Sequence, residues 1–265
     1  MTNTAENRAP PSPLQAVARI ARMYFRVGLG RRRTLWLSLL ALLPALAALI
    51  GRAIGEGGDE AWFSATAVPL YLEFLALGLA LYLGVSSLSD EIEDGTIAFL
   101  LCRPVPRGAI AVAKIAAVVT AGGIGLSASL GLTFVLCHVP DVEALAGAAP
   151  RLARVLSVLW LQMLLYTSLF SLAGVWLRRP MLLSVIFGFG WEATVSHLPG
   201  ELPRFSLMFY LRSLLGLAPG DSGLLSALVP PLPPAGVATS LAVILAGTVL
   251  FAGLAAWGVG RREFR

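Results

Sequence analysis

Six nearly charge-free stretches, each close to the length of a bilayer crossing, constrain this chain more than any other feature. They fall at residues 34–50, 64–87, 110–136, 155–177, 181–195 and 235–259, against the ~20 apolar residues that a helix needs to span a hydrocarbon core. Hydrocarbon offers main-chain N–H and C=O groups no partner, so segments of this length satisfy them internally, as helices. The expected fold class is therefore all-α integral membrane, with six transmembrane helices over residues 34–259. The fifth stretch is short and runs into Glu192, His197 and Pro199, which leaves a broken or tilted helix as the alternative to a full crossing. Only 13% of the residues are charged and 57% are hydrophobic, where soluble chains carry about 25% charge. A single soluble domain and a disordered chain are both excluded on this ground.

Charge placement orients the frame. With six crossings and a cytoplasmic N-terminus, fifteen of the twenty basic residues fall in cytoplasmic segments, among them Arg31 to Arg33, Arg178, Arg179, Arg261 and Arg262. Cytoplasmic segments accumulate Lys and Arg, so both termini are expected inside, in the inner (cytoplasmic) membrane of the cell. Residues 1–13, with Pro10, Pro11 and Pro13, read as a disordered tail, and 260–265 as a short cytoplasmic one. Over 14–33, Arg19, Arg22 and Arg26 fall within an arc of about 60° on a helical wheel, as in an amphipathic interfacial helix on the inner leaflet. A cleaved signal peptide fits poorly, because the basic segment before the first stretch is too long. The net charge of +5 comes with no basic stripe interleaved with aromatics, so nucleic acid is not an expected partner.

The connector between the second and third stretches carries the most specific signal. Four acids occupy five positions, Asp90, Glu91, Glu93 and Asp94, followed by Gly95, Thr96, an apolar run through Leu100, and then Arg103, Pro104, Pro106 and Arg107. The acids continue the second helix out of the bilayer, Gly95 permits a sharp change of direction, and the two prolines end the short helix that follows. Acids on the cytoplasmic side run against the charge bias just described, and a basic surface on a partner offsets that.

Glu91-Ile92-Glu93-Asp94-Gly95-Thr96, Leu100-Leu101, Arg103-Pro104, Arg107 and Lys114 resemble the pattern of permease subunits of type-2 (type V) ABC exporters. The motif covers about 25 residues, and the six-crossing frame with its N-terminal amphipathic helix resembles the family over most of the chain. The resemblance implies an ABC type-2 permease-like fold in which the segment at about 89–101 is a coupling helix docked on a separate ATPase. Asp90, Glu91, Glu93, Asp94, Gly95, Thr96, Leu100, Arg103, Pro104 and Arg107 are then the ATPase-contact residues. It further implies two ATPase subunits and a second permease copy or homologue, expected as a homodimer. Cys102, where a small residue is more usual, and the weak fifth stretch depart from the pattern.

Absent motifs are as informative. The sequence has no GxxxxGK[ST] loop and a single lysine, Lys114, at the start of an apolar stretch, so this chain has no phosphate cradle of its own. ATP and Mg2+ are expected on the partner ATPase, with no cofactor or metal held here and no catalytic residue. There is no GxSxG or HExxH, and His138 and His197 stand apart in sequence, each read as a hydrogen-bonding residue at the interface.

Within the apolar stretches Glu73 is the acid read as well inside, about nine residues from the outer end of the second. A central charge costs roughly 2.5–3.5 kcal/mol on insertion scales, so it requires a polar cavity, a partner or a proton. Its readings are a translocation-path group or a structural contact to a neighbouring helix near Pro69. Ala113, Ala117, Ala121, Gly125 and Ser129 recur every four residues, which suits close helix packing within the chain or a dimer seam. The external segment 196–234 contains Arg204 and Arg212 among apolar residues at helical spacing, a candidate re-entrant helix or surface anchor. Two alternatives to the exporter remain at this point: the ATPase-coupled membrane component of a cell-envelope assembly machine, and a secondary carrier.

Overall fold

The computed structural model describes residues 40–54, 60–93, 107–138, 142–196, 201–216 and 232–261. Seven helices are named here in chain order: α1 (Leu43–Ala53), α2 (60–93), α3 (Arg107–His138), α4 (Val142–Trp176), α5 (180–195), α6 (Leu207–Leu215) and α7 (Val237–Arg261). No strand occurs among the described residues. Four helices are long and apolar enough to cross a membrane: Glu60–Ser89, Gly108–His138, Leu145–Trp176 and Val237–Arg261. These four are the second, third, fourth and sixth apolar stretches of the sequence. α4 starts well before the stretch that announced it, because Val142 to Arg154 mixes charge with helix-favouring alanines. Arg151 and Arg154, assigned from sequence to an external segment, are therefore residues of a helix. Within the described residues, α1 and Pro180–Glu192 are apolar helices shorter than these four.

Close approach holds the bundle together. Between lipid-exposed helices there is no hydrophobic drive, so small residues and buried hydrogen bonds set the contacts. α2 and α4 share the most extensive interface. They meet at Gly84, where a Cβ would lie 3.1 Å from Phe170 Cβ, and at Gly174, where it would lie 3.0 Å from the Val85 carbonyl oxygen. On α3 the tightest positions are Gly122 and Gly123, packed on Met163 and Trp160 of α4. In the small-residue stripe, Ala113, Ala117 and Ser129 are buried inside this chain, so at these three positions it serves internal packing.

Some polar groups inside the bundle are paired across helices. Tyr71 Oη on α2 lies 2.6 Å from Ser129 Oγ and 2.9 Å from Thr133 Oγ1 on α3, and Ser129 Oγ donates to the Ala41 carbonyl. α2 contains two wide, π-helical segments, Phe63–Ala67 and Leu70–Ala76, on either side of Pro69. Pro69 has no N–H for the α-helical ladder, and wide turns of this kind accommodate the lost register. Within the second segment the Leu72 carbonyl accepts a hydrogen bond from Gln162 Nε2 of α4 at 2.5 Å. Arg52, in the last turn of α1, donates to the Leu136 carbonyl at 2.5 Å, one of the final-turn carbonyls of α3 that have no partner within the helix.

Candidate functional site

Two regions carry the chemistry, one at the connector end of the bundle and one deeper within it. At the first, α2 ends at Glu93 and α3 begins at Arg107, so both helices open onto the connector. Asp90, Glu91 and Glu93 continue the α2 backbone, as their sequence position required, and Arg107 is the first residue of α3. Asp94, Gly95, Thr96, Leu100, Arg103 and Pro104 lie outside the described residues, as do Arg19, Arg22 and Arg26.

The helix ends that receive this connector are firmly keyed into the bundle. Leu88 of α2, Ala111 of α3, Val175 of α4 and Val259 of α7 form a buried cluster of their own. Lys114, 2% exposed, donates from Nζ to the Ser87 carbonyl at 2.9 Å and so ties α3 to α2 directly beneath the cluster of acids. Gly108 faces Ala256, and a Cβ at Gly258 would lie 2.6 Å from Trp176 Nε1. Trp176 and Trp257 stack with centroids 5.7 Å apart, and the Arg261 guanidinium sits 4.7 Å over the Trp257 ring. Stacked tryptophans capped by arginine suit the bilayer interface, where rings lie among headgroups.

The second region is built around two acids. Glu73, on the second wide segment of α2, lies 3.5 Å from the Arg212 guanidinium of α6, with side chains 27% and 12% exposed. The sequence requirement that a deep carboxylate find a partner is met by a helix from the external segment. That segment is more than a surface anchor: Met208, Phe209, Leu211 and Ser213 of α6 are buried, and α6 packs on α7 and α4.

Glu192 is a second acid inside an apolar stretch, which the sequence reading of Glu73 passed over. It ends the third wide segment, Ile186–Glu192, and is fully buried. Its carboxylate accepts hydrogen bonds from Ser206 Oγ at 2.5 Å, Leu207 N at 3.2 Å and Met208 N at 3.1 Å. These are N-terminal donors of α6, otherwise without an acceptor, and the positive end of the helix dipole favours the negative charge placed there. α5 and α6 thus meet at Glu192, and the Leu215 end of α6 borders a cavity shared with Ser64 of α2 and Arg154 of α4. A helix ending abruptly before a Ser-Leu-Met start was the signal available; recognising the acid that joins them needed the third dimension. His138 is buried, with Nδ1 2.8 Å from the Phe134 carbonyl oxygen. Among the described residues no three His, Cys, Asp or Glu side chains come together as a metal site.

Among the described residues, an all-helical bundle with four helices long and apolar enough to cross a membrane fits an integral membrane protein. A family model described as ABC-2 family transporter protein matches residues 29–190, more than half of the chain. The chain belongs to that family and is a membrane component of an ABC transporter, which implies partnering with an ABC ATPase. No curated protein matches it.

Proposed function

We propose that the chain is the permease subunit of an ABC exporter, carrying substrate across the inner membrane as two ATPase subunits bind and hydrolyse ATP with Mg2+. Two copies of this chain form the transmembrane unit, with both termini in the cytoplasm. The segment 89–101 is the coupling helix. Asp90, Glu91, Glu93 and Asp94 dock on a basic groove of the ATPase, and Gly95 and Thr96 set the bend. Leu100 seats the apolar face, while Arg103, Pro104 and Arg107 lead the chain back to α3. Arg19, Arg22 and Arg26 hold the interfacial helix to anionic headgroups.

The observation that carries this reading is the keyed attachment of both connector ends. Lys114 bonded to Ser87, with the buried cluster that joins α2, α3, α4 and α7, supports transfer of a push on the connector to the whole bundle rather than to one helix. Packed interfaces of this kind shift between discrete arrangements and do not deform continuously. Deeper in the bundle the Glu73–Arg212 pair supports a closing role for α6, so that its separation from α2 opens the path.

The test is affinity purification from native membranes in mild detergent, with ATPase assay of the complex. The wild type is expected to bring down an ABC ATPase in equal amount, and Glu91→Lys and Glu93→Lys to insert normally yet lose it. An Glu91→Lys variant that exports and hydrolyses ATP like the wild type would overturn the coupling assignment.

A further inference from the structure

At the end of the bundle remote from the connector, a cavity of about 430 Å³ opens between α2, α4 and α6. Ser64 and Val68 of α2, Arg151, Arg154 and Val155 of α4 and Leu215 of α6 line it. Its composition is divided: Val68 and Val155 are buried apolar wall, while both arginines are exposed at the rim. Arg151 Nη1 lies 3.3 Å from Glu60 Oε1. Among the described residues no ion pair involves Arg154. Among the described residues, the cavity therefore carries positive charge beyond what Glu60 offsets.

Depth distinguishes this cavity from an ordinary basic surface. The Trp176–Trp257 stack and Arg261 mark one membrane boundary. At 1.5 Å rise per residue, Arg154 lies about 33 Å and Arg151 about 37 Å along α4 from Trp176. A usual tilt of about 20° reduces these to roughly 31 and 35 Å, just beyond a hydrocarbon core of about 30 Å. Both guanidinium groups thus stand at the headgroup level of the opposite leaflet, above an apolar floor at the acyl boundary. Guanidinium groups bind phosphate oxygens in pairs of parallel hydrogen bonds, and a cavity of this size is within the usual range for a small ligand.

We propose that this cavity binds the phosphate headgroup of an anionic phospholipid from the leaflet facing away from the connector. Arg154 and Arg151 hold the phosphate, and Val68, Val155 and Leu215 cover the first acyl carbons, while Ser64, whose Oγ donates to the Ala61 carbonyl at 3.0 Å, lines the wall. Because the walls come from three helices, the lipid pins the end of α6 to α2 and α4. The proposal depends on the membrane-spanning reading and not on transport.

The purified full-length protein in neutral detergent, titrated with phosphatidylglycerol, phosphatidylcholine or inorganic phosphate, tests it by native mass spectrometry and thermal melting. Phosphatidylglycerol is expected to give a discrete single adduct and a raised melting midpoint, with phosphatidylcholine and inorganic phosphate giving neither. Arg154→Gln should weaken phosphatidylglycerol binding about tenfold, the loss of one charge-assisted pair, while Arg179→Gln, beyond the opposite end of α4, leaves it unchanged. Size-exclusion elution matching the wild type shows that the variants are folded. Equal weakening by Arg179→Gln reduces the effect to general charge attraction and overturns the site. An unaltered Arg154→Gln does the same, and an equal response to inorganic phosphate makes it a free-anion site instead.

Discussion

Lys114 Nζ reaches back from α3 to the Ser87 carbonyl of α2 at 2.9 Å, so the chain's one lysine fixes the angle at which the two helices leave for the connector. A buried ammonium of this kind is retained only where its donors are used. Lys114→Met preserves the apolar stem and removes the charged donor that bonds α3 to α2. We expect a stability loss of about 1–3 kcal/mol in thermal melts of the detergent-solubilised protein. ATPase stimulation by the permease should fall more steeply than the amount of assembled complex.

Glu192 ties α5 to the start of α6 through three hydrogen bonds. Glu192→Leu strips all three, and the expected loss of about 2 kcal/mol or more follows from uncapping a buried helix start. Glu192→Gln keeps an acceptor oxygen and should lose less. Protease cleavage between α5 and α6 measures the effect directly, and cleavage rates should rank Leu above Gln above wild type.

The Glu73–Arg212 contact lends itself to a double-mutant cycle. Glu73→Gln and Arg212→Gln each leave a charge behind in a partly buried position, so each single change should cost more than half of what the pair costs together. A coupling energy of about 0.5–3 kcal/mol is expected from melting midpoints. Additive losses would show that the two side chains do not stabilise one another.

Glycines separate into two groups by what a side chain would meet. A Cβ at Gly258 falls 2.6 Å from Trp176 Nε1 and 3.0 Å from Val175 Cγ1, whereas Gly131 and Gly253 have nothing within 4 Å. Gly258→Val should push α7 from α4 and disturb the tryptophan stack, at about 1–3 kcal/mol for overpacking. Gly253→Ala should be neutral or stabilising by up to about 1 kcal/mol through helix propensity. Near-ultraviolet circular dichroism, which reports the stacked indoles, should change for Gly258→Val and not for Gly253→Ala.

Hydropathy and charge determined that this is an all-helical membrane protein. They pointed to six crossings, of which four correspond to helices long and apolar enough to span among the described residues, and marked the acidic connector that resembles the family's. Those properties are local: twenty apolar residues require a helix in hydrocarbon wherever their neighbours lie. Hydropathy could not show that Arg151 and Arg154 belong to a helix, because the boundary of a helix in water is set by propensity and capping rather than by apolarity. Nor could it say which residues meet across the bundle. Glu73 required a partner, but only the packing of α6 supplied Arg212. Glu192 looked like the polar end of a weak stretch until α6 folded onto it, and the cavity beneath Arg154 exists only where α2, α4 and α6 converge. Pairing between distant residues depends on how helices are rotated and approached, which glycines, wide turns and buried hydrogen bonds settle together. That geometry the tertiary structure alone decides.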